Sequence, residues 1–231
     1  MIDKDNICLS VIMPVFNEKD NILNIIKDIK KVPINKEIII VDDGSSDGTV
    51  EILSTLNDKE IKVYHHPINI GKGAAIRLGL FYARGDIIII QDADLEYNPQ
   101  DYLALVKPII SGEADVVYGK RQFESAKAKH LRYYWGGQLI TNLANFLYGI
   151  NISDEPTCYK VFRADILKQL KLHCIGFEFC PEVTAKIAKK GIKIFEVPIS
   201  YNPRSMKDGK KIRWLDGLKA IYVLFKYKFT D

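Results

Sequence analysis

Three short apolar runs in the first half of the chain each end on a knot of polar side chains. Ile7–Val15 runs into Phe16-Asn17-Glu18, Glu37–Val41 into Asp42-Asp43-Gly44-Ser45, and Ile87–Gln91 into Asp92-Ala93-Asp94-Leu95-Glu96. Runs this short and this rich in Ile and Val read as buried strands. Stretches with helical spacing separate them. Asn21–Lys31 sets Ile22, Ile25, Ile26 and Ile29 on one face, Ser46-Asp47-Gly48-Thr49 offers a cap before Val50–Leu56, and Gly71–Ala83 reads as a further helix. Ile61–His65 and Ala114–Tyr118 add strands, and Pro99 opens a helix through Ile110. Strands of about five residues alternating with helices of about 12 dictate a parallel sheet covered on both faces. The expected fold class is α/β, a Rossmann-like, mostly parallel sheet flanked by helices.

After Gly119 the pattern changes. Lys120–His130 reads as a polar loop, Arg132–Tyr148 and Phe179–Lys190 as helices, Ile192–Val197 as a strand, and Tyr201–Lys211 as a second polar loop. Trp214–Phe229 is helical, with Leu215, Leu218, Ile221, Tyr222 and Phe225 as an apolar stripe beside Lys219, Lys226 and Lys228. No Ser/Pro-rich linker divides the chain. Residues 1–213 are expected to form one domain, and 214–231 a C-terminal amphipathic helix that either meets a membrane interface or packs on the core.

A length of 231 residues suits one large domain. At 47% hydrophobic and 27% charged, the composition excludes bulk disorder. No apolar run approaches the roughly 18 residues of a membrane span, and Met1-Ile2-Asp3-Lys4-Asp5 lacks the basic-then-apolar order of a secretory leader. A cytoplasmic protein is expected. Cys8, Cys158, Cys174 and Cys180 form no Cys-x-x-Cys pair and show no zinc-ligand spacing with the histidines. The net charge of +4 conceals an asymmetry: from Lys186 onward there are 12 Lys and Arg against 4 Asp and Glu, so the preceding part is acidic on balance. The basic end could meet a phosphate, an anionic membrane or nucleic acid. Nucleic acid fits poorly, because the basic residues gather near one loop and the aromatic ones follow an apolar helical stripe.

In a parallel α/β sheet, ligands gather at the C-terminal ends of the strands. The three knots would bring at least five carboxylates to one sheet edge. Packed like charges cost free energy unless something positive joins them. A divalent cation carrying a nucleoside diphosphate is the natural occupant, since Mg²⁺ and Mn²⁺ bind one or two carboxylates plus phosphate oxygens. Alone, Asp42-Asp43-Gly44 would be an ordinary turn and Asp92-x-Asp94 a chance pair. The set, in this order at strand ends, carries the argument. Gly71-Lys72-Gly73 is no P-loop: His66 stands where the first Gly is needed, and Gly73 where Ser or Thr is needed.

Ser10-Val11-Ile12-Met13-Pro14-Val15-Phe16-Asn17-Glu18, Ile40-Val41-Asp42-Asp43-Gly44-Ser45-Ser46-Asp47-Gly48-Thr49, Asn69-x-Gly71-Lys72-Gly73 and Asp92-Ala93-Asp94-Leu95-Glu96 together resemble the inverting family 2 glycosyltransferases. Within them the chain is most similar to the dolichyl-phosphate mannose synthase and polyprenyl-phosphate glycosyltransferase branch, over residues 8–215. The resemblance implies a GT-A fold. It implies that Pro14, Phe16, Glu18, Asp42, Asp43, Lys72 and Asp92 hold the nucleotide. It implies that Asp92, Asp94 and Glu96 serve Mg²⁺ or Mn²⁺, although the family often has Gln at the position of Glu96. Gly119-Lys120-Arg121 resembles a Gly-Ser-Arg segment whose Arg faces the phosphates, which makes Arg121 a catalytic candidate beside Asp94.

Ser153–Arg163 resembles the Asp-x-x-x-Gly-Phe-Arg-type segment of the branch, with Tyr159-Lys160 in place of Gly-Phe, and implies that Asp154 meets the donor sugar. A phosphate acceptor is already an anion near neutrality and needs charge compensation more than a base. The cluster Arg204, Lys207, Lys210, Lys211 and Arg213, with Arg132, suits that need. The expected reaction is transfer of a hexose from a UDP- or GDP-linked sugar to a polyprenyl phosphate, with inversion, by a protein peripheral on a cytoplasmic membrane face. Relatives often continue into C-terminal membrane helices, which this sequence lacks before Asp231. Two other readings stand beside it: a family 2 enzyme acting on a saccharide hydroxyl with Glu178 or Glu182 as base, and a non-catalytic nucleotide-sugar-binding protein.

Overall fold

The computed structural model describes residues 7–122, 131–204 and 211–230, without the side chains of 131–133. Strands β1 (Leu9–Val15), β2 (Lys36–Asp42), β3 (Ile61–His65) and β4 (Ile87–Ile90) alternate with helices α1 (Ile22–Lys30), α2 (Thr49–Ser54) and α3 (Lys72–Tyr82). Apart from a partly exposed Pro14 in β1, strands β1, β2 and β4 are buried along their length, as expected of parallel strands covered on both faces. Ile22, Ile25, Ile26 and Ile29 are the buried face of α1.

A 3₁₀ turn at Pro99–Asp101 leads into α4 (Tyr102–Ser111), followed by β5 (Val116–Arg121) and α5 (Leu131–Tyr148). Then come β6 (Lys160–Arg163), α6 (Ala164–Lys168), α7 (Phe179–Lys189), β7 (Ile194–Ile199) and α8 (Trp214–Phe229). The seven-stranded sheet has the order β3-β2-β1-β4-β6-β5-β7. Only β6 runs antiparallel to its neighbours, pairing Val161 with both Ile89 and Val117. The sequence reading assigned no strand to Lys160–Arg163 and placed Lys120 and Arg121 in a loop. Both belong to the sheet. A four-residue strand with a basic residue at each end shows no period to detect, and its Lys160 is wholly buried.

The C-terminal helix packs on α5 and α7. Its buried residues are Ala220, Val223, Leu224 and Tyr227. Tyr148 donates its hydroxyl to Leu224 O at 2.6 Å, tying α5 to α8. The apolar stripe expected from sequence lies on the other side: Leu215, Leu218, Tyr222 and Phe225 are exposed. Helix α8 is therefore apolar on two faces, one in the core and one in solvent.

Candidate active site

The loops after β1 and β2 are zipped together. Asn17 takes a left-handed conformation at φ +50°, which its short amide tolerates. Its N–H donates to Ser45 Oγ at 2.8 Å, and its Oδ1 accepts from Ser46 N–H at 2.8 Å. This carries Glu18 into a buried position beside Thr49, whose Oγ1 accepts the Glu18 N–H at 3.0 Å. Asp42, at the end of β2, accepts the Ser45 N–H on Oδ2 at 3.2 Å and lies 3.6 Å from His65 Nδ1. Its Oδ1 is buried with no donor among the described residues.

Asp43 is placed differently from its expected nucleotide role. Its carboxylate meets His66 Nδ1 at 2.7 Å and accepts the N–H groups of Ile70 at 3.1 Å and Gly71 at 2.7 Å. It anchors the loop that starts α3. Gly71 sits at φ +128°, where a Cβ would fall 2.4 Å from Ile175 O, so only glycine lets the two backbones meet. The next residue, Lys72, is aimed at Asp92, with Nζ 2.5 Å from Oδ1. Burial opposes charge on Lys72, yet the Asp92 carboxylate wins and raises its pKa.

The turn after β4 stores strain. Leu95 is held at φ +60°, outside the ordinary range of a leucine, while Glu96 N–H donates to Asp94 Oδ1 at 3.1 Å. Asp94 is half-buried beside Asp92 and Glu96. Burial, then those two charges, push its carboxyl up to about 7 against the pull of Arg204. Arg204, from the segment after β7, sets Nη2 at 3.1 Å from both Asp94 Oδ2 and Glu18 Oε1. Lys211 Nζ reaches Glu18 Oε1 at 2.6 Å and also the carbonyl of Phe16. Burial alone would raise the Glu18 carboxyl, but Lys211, Asn21 and Arg204 hold it below the usual range.

Glu96, expected beside the cation, is engaged by protein donors in this structure. One oxygen accepts from Tyr201 Oη at 2.7 Å and the other from Arg204 N–H at 2.8 Å. Among the described residues no three acidic, His or Cys side chains form a ready metal cage. Asp92 and Asp94 are hard oxygen donors, which suits an ion completed by phosphate oxygens.

Arg121 and Asp154 come together. Arg121 Nε and Nη2 donate to the two Asp154 oxygens at 2.7 Å each, a bidentate pair. The guanidinium lies 4.9 Å from the Tyr201 ring centre, so one aromatic ring separates this pair from Glu96. Pro14 is paired in register with Val41, close to the β1 end, and the Phe16 ring lies 5.7 Å from Lys211 Nζ. Arg213 precedes α8, its N–H donating to Asp216 Oδ2 at 2.7 Å. The side chain of Arg132, and Lys207 and Lys210 altogether, lie outside the described residues.

Glu182 cannot act as a free base. Wholly buried, it accepts the N–H groups of His173 at 2.8 Å and Cys174 at 2.7 Å and pairs with Lys186 at 2.6 Å. Burial would raise its carboxyl, but these donors hold it below the ordinary range. A depressed folded pKa gives stability that is present at neutral pH and lost as pH falls through the folded value. Glu182→Gln is expected to cost about 1–3 kcal/mol in urea unfolding at pH 7, and less below pH about 4. Glu178 keeps a buried Oε2 without a partner among the described residues.

Several supporting residues carried no signal of their own in the sequence. Gln91 Oε1 accepts from Tyr102 Oη at 2.6 Å and Tyr159 Oη at 2.7 Å, while its amide donates to Asp92 O at 2.8 Å. Tyr97 Oη accepts the Cys158 N–H at 3.0 Å. These tyrosines floor the acidic turn, and their density between Tyr97 and Tyr201 was the available hint.

Residues 10–171 match the family described as Glycosyl transferase family 2. The chain is 30% identical over 202 residues to the low-salt glycan biosynthesis hexosyltransferase Agl6 of Haloferax volcanii, covering 85% of this chain and 48% of that protein. It is 29% identical over 245 residues to dolichyl-phosphate beta-glucosyltransferase ALG5A of Trichomonas vaginalis, covering 98% of this chain and 74% of that one. The chain thus spans about half the length of the first relative. A structure of glucosyl-3-phosphoglycerate synthase from Mycobacterium tuberculosis, with Mn²⁺, UDP and glucosyl-3-phosphoglycerate, superposes with a TM-score of 0.72 at 20% identity, covering 97% of this chain and 81% of that chain. That likeness establishes the GT-A fold expected from the strand-end motifs. By fold, by the order of its acidic strand ends and by the span of the match, the chain belongs to glycosyl transferase family 2.

Proposed function

We propose that the chain transfers a hexose from a nucleoside diphosphate sugar to a polyprenyl phosphate, inverting the anomeric carbon. One observation carries the reading. Arg204 and Lys211 seat two cations on the acidic site, and three residues beyond Lys211 the exposed apolar face of α8 begins at Trp214. An anion binder running straight into an apolar ridge fits a phosphate with a hydrocarbon tail. Helix α5, which packs on α8, also exposes Trp135, Leu139 and Phe146, at 63%, 60% and 84%. Lys219, Lys226 and Lys228 flank the ridge. Among the described residues no helix is long and apolar enough to cross a membrane. The ridge suits contact with an anionic membrane surface instead.

On the donor side, the unpartnered Asp42 Oδ1 is an acceptor for a base or ribose donor. Asp92 and Asp94 would hold Mg²⁺ or Mn²⁺; such an ion, when bound, offsets charge developing on the leaving diphosphate. Lys72 and Arg121 add fixed positive charge on either side of that turn. The acceptor phosphate needs no proton removed before it attacks, and Arg204 and Lys211 orient it. ALG5A, by its name, works on dolichyl phosphate, which supports the same acceptor chemistry.

The test is nucleotide release from a panel of UDP- and GDP-sugars with Mg²⁺ or Mn²⁺, with and without a short polyprenyl phosphate in detergent. Release with one donor that depends on the lipid phosphate is expected. Release indifferent to it would favour a hydroxyl acceptor with Glu178 as base, whose loss in Glu178→Gln would remove the acidic limb of the pH–rate profile. Binding without turnover would favour a non-catalytic role. For the ridge, the double change Leu218→Glu and Tyr222→Glu is expected to weaken flotation with anionic vesicles by more than roughly tenfold. Nucleotide binding should stay unchanged, and unchanged flotation would remove the membrane from the proposal.

A further inference from the structure

We propose that Glu196 is a positioning residue: it holds the Ser153–Glu155 turn, and through Asp154 it sets the direction in which Arg121 presents its guanidinium. The inference rests on the reading that Arg121 faces the donor phosphates.

Arg121 and Asp154 come from different parts of the chain, the end of β5 and the turn before β6. Because Arg121 is clamped by two parallel bonds of 2.7 Å, and its own N–H reaches Asp154 Oδ2 at 3.1 Å, its orientation follows the position of Asp154. That turn belongs to no helix or strand, so side chains must fix it. Glu196, on β7, supplies three of the bonds that do so. Its Oε1 accepts the N–H groups of Ser153 at 2.7 Å and Asp154 at 3.2 Å, and its Oε2 accepts the Ser153 hydroxyl at 2.8 Å.

The opposite side of the turn is pinned as well. Thr141 Oγ1 accepts the Glu155 N–H at 3.0 Å, and Lys160 Nζ donates to Glu155 O at 2.5 Å. Thr184 Oγ1 donates to the Glu155 carboxyl at 3.0 Å. Lys160 and Glu155 are 0% and 1% exposed. Buried charges are a costly way to gain stability, since apolar residues of similar size commonly serve as well or better. A satisfied polar network instead selects one geometry. Here the geometry selected is that of Asp154, and a misplacement of about 1 Å at such a group can cost roughly a hundredfold in rate.

The experiment is a kinetic double-mutant cycle on the full chain between Glu196→Ala and Arg121→Lys. Glu196→Ala is expected to lower kcat roughly ten- to hundredfold, with the KM for the sugar nucleotide and the Kd for its nucleotide moved less than about twofold. Glu196→Gln should restore most of kcat, because one amide oxygen still accepts the Ser153 N–H. In the Arg121→Lys background, Glu196→Ala should cost little more. Ser153→Ala, which removes one of the three bonds, should lower kcat by a smaller factor and serves if Glu196→Ala does not fold. A Glu196→Ala loss of equal size in both backgrounds, or one confined to thermal stability, would overturn the positioning role. Full activity in Arg121→Lys would instead overturn the reading of Arg121, and with it the purpose assigned to Glu196.

Discussion

Asp94→Ala is expected to lower sugar transfer by roughly 10³-fold while leaving the melting temperature unchanged or slightly higher. The two halves of this expectation share one cause. Asp94 is half-buried against two other carboxylates, Asp92 and Glu96, and its own carboxyl is pushed up to about 7. A carboxylate so placed contributes repulsion to the resting protein, so its removal relieves the fold. Arg204 is not stranded by the change, because Glu18 still accepts from both of its terminal nitrogens, at 3.1 and 3.3 Å. What disappears is an oxygen donor at the place where the leaving diphosphate must be neutralised. Turnover at saturating donor and a thermal melt on the same sample check it. Retained turnover would remove Asp94 from the cation site. Joint loss of turnover and folding would make the residue structural.

Arg204→Ala is expected to raise the KM for polyprenyl phosphate by roughly ten- to a hundredfold, the worth of one or two charge-assisted bonds to a phosphate. Donor affinity should change far less. Arg204 is mostly buried between Glu18 and Asp94, and its Nε has no acceptor among the described residues. A guanidinium with a spare donor suits the proposed role of holding the acceptor phosphate. Lys211→Ala should have a weaker effect, because that ammonium is a third exposed and screened by salt. Steady-state kinetics in lipid phosphate, repeated at two ionic strengths, separate the two variants. A loss of donor affinity with unchanged lipid KM would move Arg204 to the diphosphate side of the reaction.

Much of the architecture was legible because it rests on local periodicity. Ile22, Ile25, Ile26 and Ile29 announce both the existence and the inner face of α1, and the isoleucines of β4 can be little other than a buried strand. The site was legible where ligands gather by topology, at the ends of β1, β2 and β4. Long-range partnership was not. That Asp43 would spend its carboxylate on His66, Ile70 and Gly71, or Glu96 on Tyr201 and Arg204, depends on loops far apart in sequence. A carboxylate that anchors a backbone looks the same in one dimension as one that awaits a ligand. In α8 the period was clear, yet two apolar faces competed. Smaller Ala220 and Val223, with Leu224 and Tyr227, went inside, leaving the bulkier Trp214, Leu218, Tyr222 and Phe225 outside. Strand β6 was missed because its partners, Ile87–Ile89 and Val116–Tyr118, are what make it a strand.

That late, reversed strand also governs the order in which the molecule can be made. During synthesis β4 emerges long before β6, and until residue 160 leaves the ribosome one edge of Ile87-Ile88-Ile89-Ile90 has no partner. A bare, uncharged isoleucine edge is a template for joining another chain. Nascent chains stalled between the two strands should therefore be strong clients of chaperones that shield apolar segments, and truncation before Lys160 should yield insoluble protein rather than a working nucleotide-binding half. The same insertion joins β4 to β5, so the strand that leads into Asp92 and Asp94 and the strand that ends on Arg121 belong to one sheet only once β6 is in place.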